Sequence, residues 1–133
     1  YDILSGLVCS EMCIRDRADT HPLVVPRVRK YIEEEFDLDA AALEAWIANW
    51  TQLGLAAIEA RIANNNPDGL YCEGNDITLA DLCVVPQVGA ALMFGVSLEP
   101  YPNTSRVFEA CMDLPEFFDS RPQVQPDYPG DAP

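Results

Sequence analysis

Ile77-Thr78-Leu79-Ala80-Asp81-Leu82 carries the sharpest local signal in the chain. Thr78 suits a helix N-cap, where its hydroxyl accepts from the Asp81 amide and the Asp81 carboxylate reaches back to the Thr78 amide. Asp is shorter than the usual Glu at that position, so the return bond needs tight geometry. Ile77 is spaced to pack on Leu82 as a hydrophobic staple. This capping box predicts a helix starting at Leu79. Leu82, Val85, Val88 and Leu92 supply its apolar stripe. Pro86 falls inside it and removes the bond to the Leu82 carbonyl, which predicts a kink.

Helical signals continue on both sides. Residues 39–65 read as one long helix, with Asp39 at the N-cap and Leu38 and Leu43 placed as a staple. Leu43, Trp46, Ile47, Trp50, Leu53, Ala57, Ile58 and Ile62 follow helical spacing and predict a core face. Gly54 costs that helix roughly 1 kcal/mol against Ala, which a close helix crossing would justify. Residues 22–36 read as the first helix, regular from Pro26, with Val28, Ile32 and Phe36 on one face. Asn64 to Gly69 form a turn-rich break. A shorter helix is expected over residues 103–113, and another begins at Pro115. No strand-like alternation runs through residues 18–133, so the predicted class is all-α.

The chain has 133 residues and is 49% apolar, enough for one domain with its own core. Its net charge of −14 argues against nucleic acid, whose phosphates require Lys and Arg. Solubility is the simplest reading of the acidity. No run of about eighteen apolar residues is present to cross a membrane, and no signal peptide is evident. A cytoplasmic protein is expected. The five cysteines are scattered without a CxxC pair, and His21 is the one histidine, so no metal site is predicted. Buried free thiols are the preferred reading.

The opening segment stands apart. Ser10-Glu11-Met12-Cys13-Ile14-Arg15-Asp16-Arg17 resembles the translation of a transposon-type sequencing adapter. We therefore set residues 1–17 aside as adapter-derived. The domain is taken as residues 18–121, followed by a Pro- and Asp-rich irregular tail over 122–133.

Several blocks now resemble one family. Tyr71-Cys72-Glu73-Gly74-Asn75-Asp76, the capping box, Val85-Pro86-Gln87-Val88 and Phe94-Gly95-Val96-Ser97-Leu98-Glu99-Pro100-Tyr101-Pro102 are similar to zeta-class glutathione transferases, which include maleylacetoacetate and maleylpyruvate isomerases. His21-Pro22-Leu23 and Gln125-Pro126-Asp127 extend the likeness across residues 18–133. The Thr-Leu-Ala-Asp element is common to many transferase classes; Val-Pro-Gln and Pro-Tyr-Pro point to zeta.

The resemblance implies a glutathione transferase C-terminal helical bundle whose N-terminal thioredoxin-like domain is missing. That domain would be its partner, and would hold glutathione and the catalytic motif, so this fragment is expected to be inactive alone and to have no catalytic residue. It implies a homodimer for the intact parent. His21 and Arg27 match family positions facing glutathione or substrate; the alternative is a helix-start His and a surface Arg. Two departures matter. Val25 replaces a family Asn near glutathione, and Met93 replaces the Arg that holds the substrate carboxylate. Met can neither donate a hydrogen bond nor neutralise a dicarboxylate. Two alternatives therefore stand beside the isomerase: a conjugating or stress-related transferase, and a non-catalytic helical interaction module.

Overall fold

A computed structural model describes residue 13 and residues 15–128. Most of the segment read as adapter-derived lies outside the described residues. Among those described, the regular elements are helices, apart from an isolated bridge between Tyr71 and Gly74. A π-helical turn, Arg15–Thr20, leads into α1 (His21–Val24), α2 (Pro26–Phe36), α3 (Ala40–Asn65), α4 (Leu79–Met93), α5 (Pro102–Met112) and α6 (Pro115–Phe118). A 3-10 turn, Pro122–Val124, lies within the tail.

The first predicted helix is in fact two. Val25 is extended, with φ −68° and ψ 152°, and α2 starts afresh at Pro26. The proline ring disfavours a helical conformation at the residue before it, and at Val25 the run breaks. The Trp46 indole donates to the Leu23 carbonyl at 2.8 Å and fastens this corner to α3. The α3 N-cap forms as expected, with the Ala42 amide donating to Asp39 Oδ1 at 2.8 Å.

The core lies where α3, α4 and α5 meet. Its centre is built by Leu55, Ile58 and Ile62 of α3, Ala80, Val84, Val88 and Ala91 of α4, and Val107 and Cys111 of α5. The buried line of α3 runs Ile47, Thr51, Gly54–Leu55, Ile58 and Ile62. Leu53, assigned to that face from spacing, is 56% exposed. Phe36 is likewise exposed, whereas Ile32 of the same helix is buried. On α4 the buried stripe is Ala80, Val84, Val88 and Ala91, with Val85 beside it. Leu82 and Leu92 lie outside it and are exposed. On the buried line of α3, Gly54 is the smallest residue and lets a neighbour come close.

Gly54 shows the reason for that closeness. An added Cβ would fall on the Thr20 side chain, 2.8 Å from its Cβ. Thr20 is itself buried. The crossing partner of Gly54 is thus the π-helical turn before α1. Helix α4 runs unbroken through Pro86.

Candidate functional site

The capping box forms at the head of α4. The Thr78 amide donates to Asp81 Oδ2 at 2.8 Å, and the Thr78 hydroxyl donates to the same oxygen at 2.9 Å. Ile77 and Leu82 both stay exposed, so the apolar half of the motif buries little. The second Asp81 oxygen has a partner outside the motif: it accepts from the Cys72 amide at 2.9 Å. A fully buried carboxylate thereby ties the helix to the loop before it. That loop is closed by Asn66, whose amide donates to the carbonyls of Tyr71 at 2.7 Å and Gly74 at 3.3 Å. Gly74 takes φ 113°, which favours glycine.

A second carboxylate works over a longer span. Glu59 of α3 accepts at the head of α5 from the Asn103 amide (3.1 Å), Asn103 Nδ2 (2.7 Å), the Thr104 amide (2.8 Å) and the Thr104 hydroxyl (2.8 Å). Burial pushes its acidity toward the neutral form, but these four bonds outweigh burial and hold the carboxyl below its usual value. Glu59 does the work of an N-cap from another helix.

The cysteines are structural. Cys72, Cys83 and Cys111 are buried free thiols. Burial first, then the Asp81 carboxylate, pushes the Cys72 thiol up; the same two causes push Cys111 up to about 12. Neither is a source of thiolate at neutral pH. Among the described residues no group of three or more His, Cys, Asp or Glu could hold a metal ion, and no helix is long and apolar enough to cross a membrane.

The candidate binding site is a cleft of about 520 Å³ between the first turns of α3 and the end of α4. Ala41, Ala45 and Ala48 leave the α3 wall low, with Glu44 and Ile47 beside them. Met93 and Phe94 form the opposite wall. Met93 is 65% exposed, so its thioether is free to meet a ligand. His21 and Arg27 do not line this cleft. His21 opens α1 and Arg27 lies in the first turn of α2; both are exposed. Of the three predicted site residues, Met93 alone lines this cleft.

Sequence reading passed over Arg29. Its guanidinium lies over the Phe94 ring, 5.1 Å from the centroid. Its Nε is buried and has no hydrogen-bond partner. One signal was available: Arg29 sits three residues before the buried Ile32, a charge on the inward side of α2.

No protein-family model matches the chain. It is 40% identical over 109 residues to a maleylpyruvate isomerase of Ralstonia sp., covering 82% of this chain and 51% of that protein. The crystal structure of a maleylpyruvate isomerase from Pseudomonas aeruginosa PAO1 superposes with a TM-score of 0.89 at 33% identity, over 96% of this chain and 66% of that one. A maleylacetoacetate isomerase from Methylobacterium extorquens AM1, solved with malonate and glutathione, gives 0.91 at 28% identity, over 97% and 60%. The chain spans about half the length of the curated relatives it matches. It has the sequence and fold of the C-terminal helical domain of the zeta-class glutathione transferases, among them the maleylacetoacetate and maleylpyruvate isomerases.

Proposed function

We propose that this chain is the helical half of a cytoplasmic, glutathione-dependent isomerase or transferase, inactive until joined to a thioredoxin-like domain, with the complete protein a homodimer. The observation that carries this is the cleft between α3 and α4, found in a domain otherwise closely similar to glutathione-binding isomerases. Bound glutathione supplies a thiolate that adds to an unsaturated or electrophilic carbon. The domain's own residues would supply contacts around it. His21 and Arg27 are exposed and make no hydrogen bond or ion pair among the described residues, so both are available to a ligand carried on the partner domain. Arg suits a carboxylate, which it grips with two parallel bonds. The buried thiols contribute nothing to this chemistry.

Met93 favours a second reading, a conjugating transferase without isomerase activity. It stands in the cleft wall with no charge to offer a dicarboxylate. The test is to read the gene upstream of Ala18 by an adapter-free method, express the complete protein, and assay it with glutathione. We expect conjugation of a chlorinated aromatic substrate and slow turnover of maleylacetoacetate. Turnover matching an Arg-bearing relative would defeat the second reading. A gene encoding no thioredoxin-like domain would defeat both.

A further inference from the structure

We infer that Gln87 is the docking group for the main chain that precedes Ala18 in the natural protein, and that small residues stand there in place of Arg15, Asp16 and Arg17. The inference rests on residues 1–17 being adapter-derived and is independent of glutathione chemistry.

Gln87 of α4 is 3% exposed, and neither its Oε1 nor its Nε2 has a hydrogen-bond partner. A buried carboxamide left so costs more than an apolar side chain of the same shape. Two other buried polar side chains are paired: Asp81 accepts from Cys72 and Thr78, and Thr104 donates to Glu59. Thr51 of α3 shares the condition of Gln87, its hydroxyl oxygen buried and unpaired.

Both unpaired groups flank one place. Helix α3 ends beside the start of α4, where the Asn66–Tyr71 and Cys72–Asp81 bonds close the loop between them. Its first turns stand across the cleft from Met93, so the two helices run antiparallel. Ala45 and Ala48 face Met93 there. Each helix rises about 1.5 Å per residue, so about six residues back along α4 and onward along α3 bring Gln87 level with Thr51 and Gly54. At that level the neighbour of Gly54 is Thr20, the last residue of the π-helical turn, and the turn packs on both helices. One turn along α4 from Gln87, Cys83 is also buried but stands outside the core cluster shared with α3 and α5. Cys83 and Gln87 thus mark the flank of α4 that the turn covers.

The turn Arg15–Thr20 has two origins. Its first three residues belong to the adapter match and its last three to the domain. A crossing tight enough to require Gly54 is a poor place for three large charged side chains. π-Helical turns are rare, and this one lies where the two sequences join. Small residues would let the backbone seat closer to α4. A helix carbonyl keeps a second lone pair, which can accept from Gln87 Nε2.

The test compares four proteins. They are this chain, the same chain with residues 1–17 replaced by those the gene encodes when read by an adapter-free method, and the Gln87→Met variant of each. Met is unbranched like Gln and donates no hydrogen bond. With the present segment, Gln87→Met should leave the folding equilibrium constant, read by urea denaturation, unchanged or higher. With the natural segment it should lower that constant about tenfold, the effect of losing one buried hydrogen bond. The Gln87 carboxamide protons should also exchange more slowly by NMR with the natural segment than with the present one, a readout that needs no substitution. Equal effects of Gln87→Met in the two backgrounds, or equal exchange, would overturn the inference. So would a gene that encodes large charged residues at positions 15–17. A complete protein lacking glutathione activity would sink the proposed function and leave these stability readings to decide Gln87 separately.

Discussion

The Asp81 carboxylate and the Cys72 amide, nine residues apart, are joined by a 2.9 Å hydrogen bond in the fully buried core. The same carboxylate accepts from the Thr78 amide and hydroxyl. One side chain therefore begins α4 and anchors the 70–75 loop. Asp81→Ala should cost about 3 kcal/mol, the sum of a lost cap and a stranded buried donor. Thr78→Ala should cost about 1 kcal/mol, because it touches only the cap. Urea denaturation of both variants separates the two roles. An Asp81→Ala cost no greater than that of Thr78→Ala would mean the Cys72 bond contributes nothing.

Glu59 makes stability sensitive to acid. Its folded carboxyl is held below the ordinary value of 4.5 because Thr104 and Asn103 donate to the charged form and outweigh burial. A lowered acid stabilises the fold above the unfolded pKa, and that contribution is lost as pH falls through the folded one. Glu59→Gln should lower stability at pH 7 by about 1 kcal/mol, in the range of a lost helix cap. The variant should also lose less than the parent chain between neutral pH and about pH 3. Glu73 has the opposite sign, since burial raises it, but it is common to both proteins and cancels in the comparison. Parallel pH–stability curves for the two proteins would remove Glu59 from this role.

The helices were legible because their punctuation is local. Asp39, Thr78, Pro102 and Pro115 sit at or next to helix starts, and each acts within one turn of itself. Which side of a helix faces inward was less legible. Spacing placed Leu53 and Leu92 in the core because both are large and apolar, but both are exposed, and the buried line of α3 runs through Gly54, where Thr20 packs closely. The site divides the same way. Met93 was found through the family pattern and lines the cleft, while the stacking of Arg29 on the cleft residue Phe94 was missed because the two lie 65 residues apart, Phe94 just past the end of α4. Glu59 was missed for the same reason, since no local motif reports a contact made across 44 residues.

Gly54 gives a test of close packing that opposes helix propensity. Alanine is better than glycine in a helix interior by about 1 kcal/mol. Here the new methyl group would collide with the buried Thr20 side chain. Overpacking of that kind costs about 1–3 kcal/mol, so Gly54→Ala should destabilise despite the better propensity. Adding Thr20→Gly removes the colliding side chain, and the double variant should recover a large part of the loss. A thermal melt of the four proteins in the cycle reads the coupling. A stabilising Gly54→Ala single variant would show that the π-helical turn does not pack on α3 in solution.

One face of α4 is apolar and uncovered. Leu79, Leu82 and Met93 are 64%, 50% and 65% exposed, and Pro86 between them is exposed as well. Their spacing of three, four and seven residues puts them along a single side of the helix, opposite the buried line of Val84, Val88 and Ala91. Contiguous apolar surface of a few hundred Å² on a monomer marks a place where something else binds. On the proposed reading it meets the thioredoxin-like domain, and in that domain's absence it should bind a hydrophobic dye or drive self-association. Leu79→Lys with Leu82→Lys should lower dye fluorescence several-fold and shift light scattering toward the monomer. Stability should change little, because neither residue belongs to the core. A dye-silent monomer before any substitution would show that this stripe needs no partner, and the cleft beside Met93 would then have to be complete within this domain.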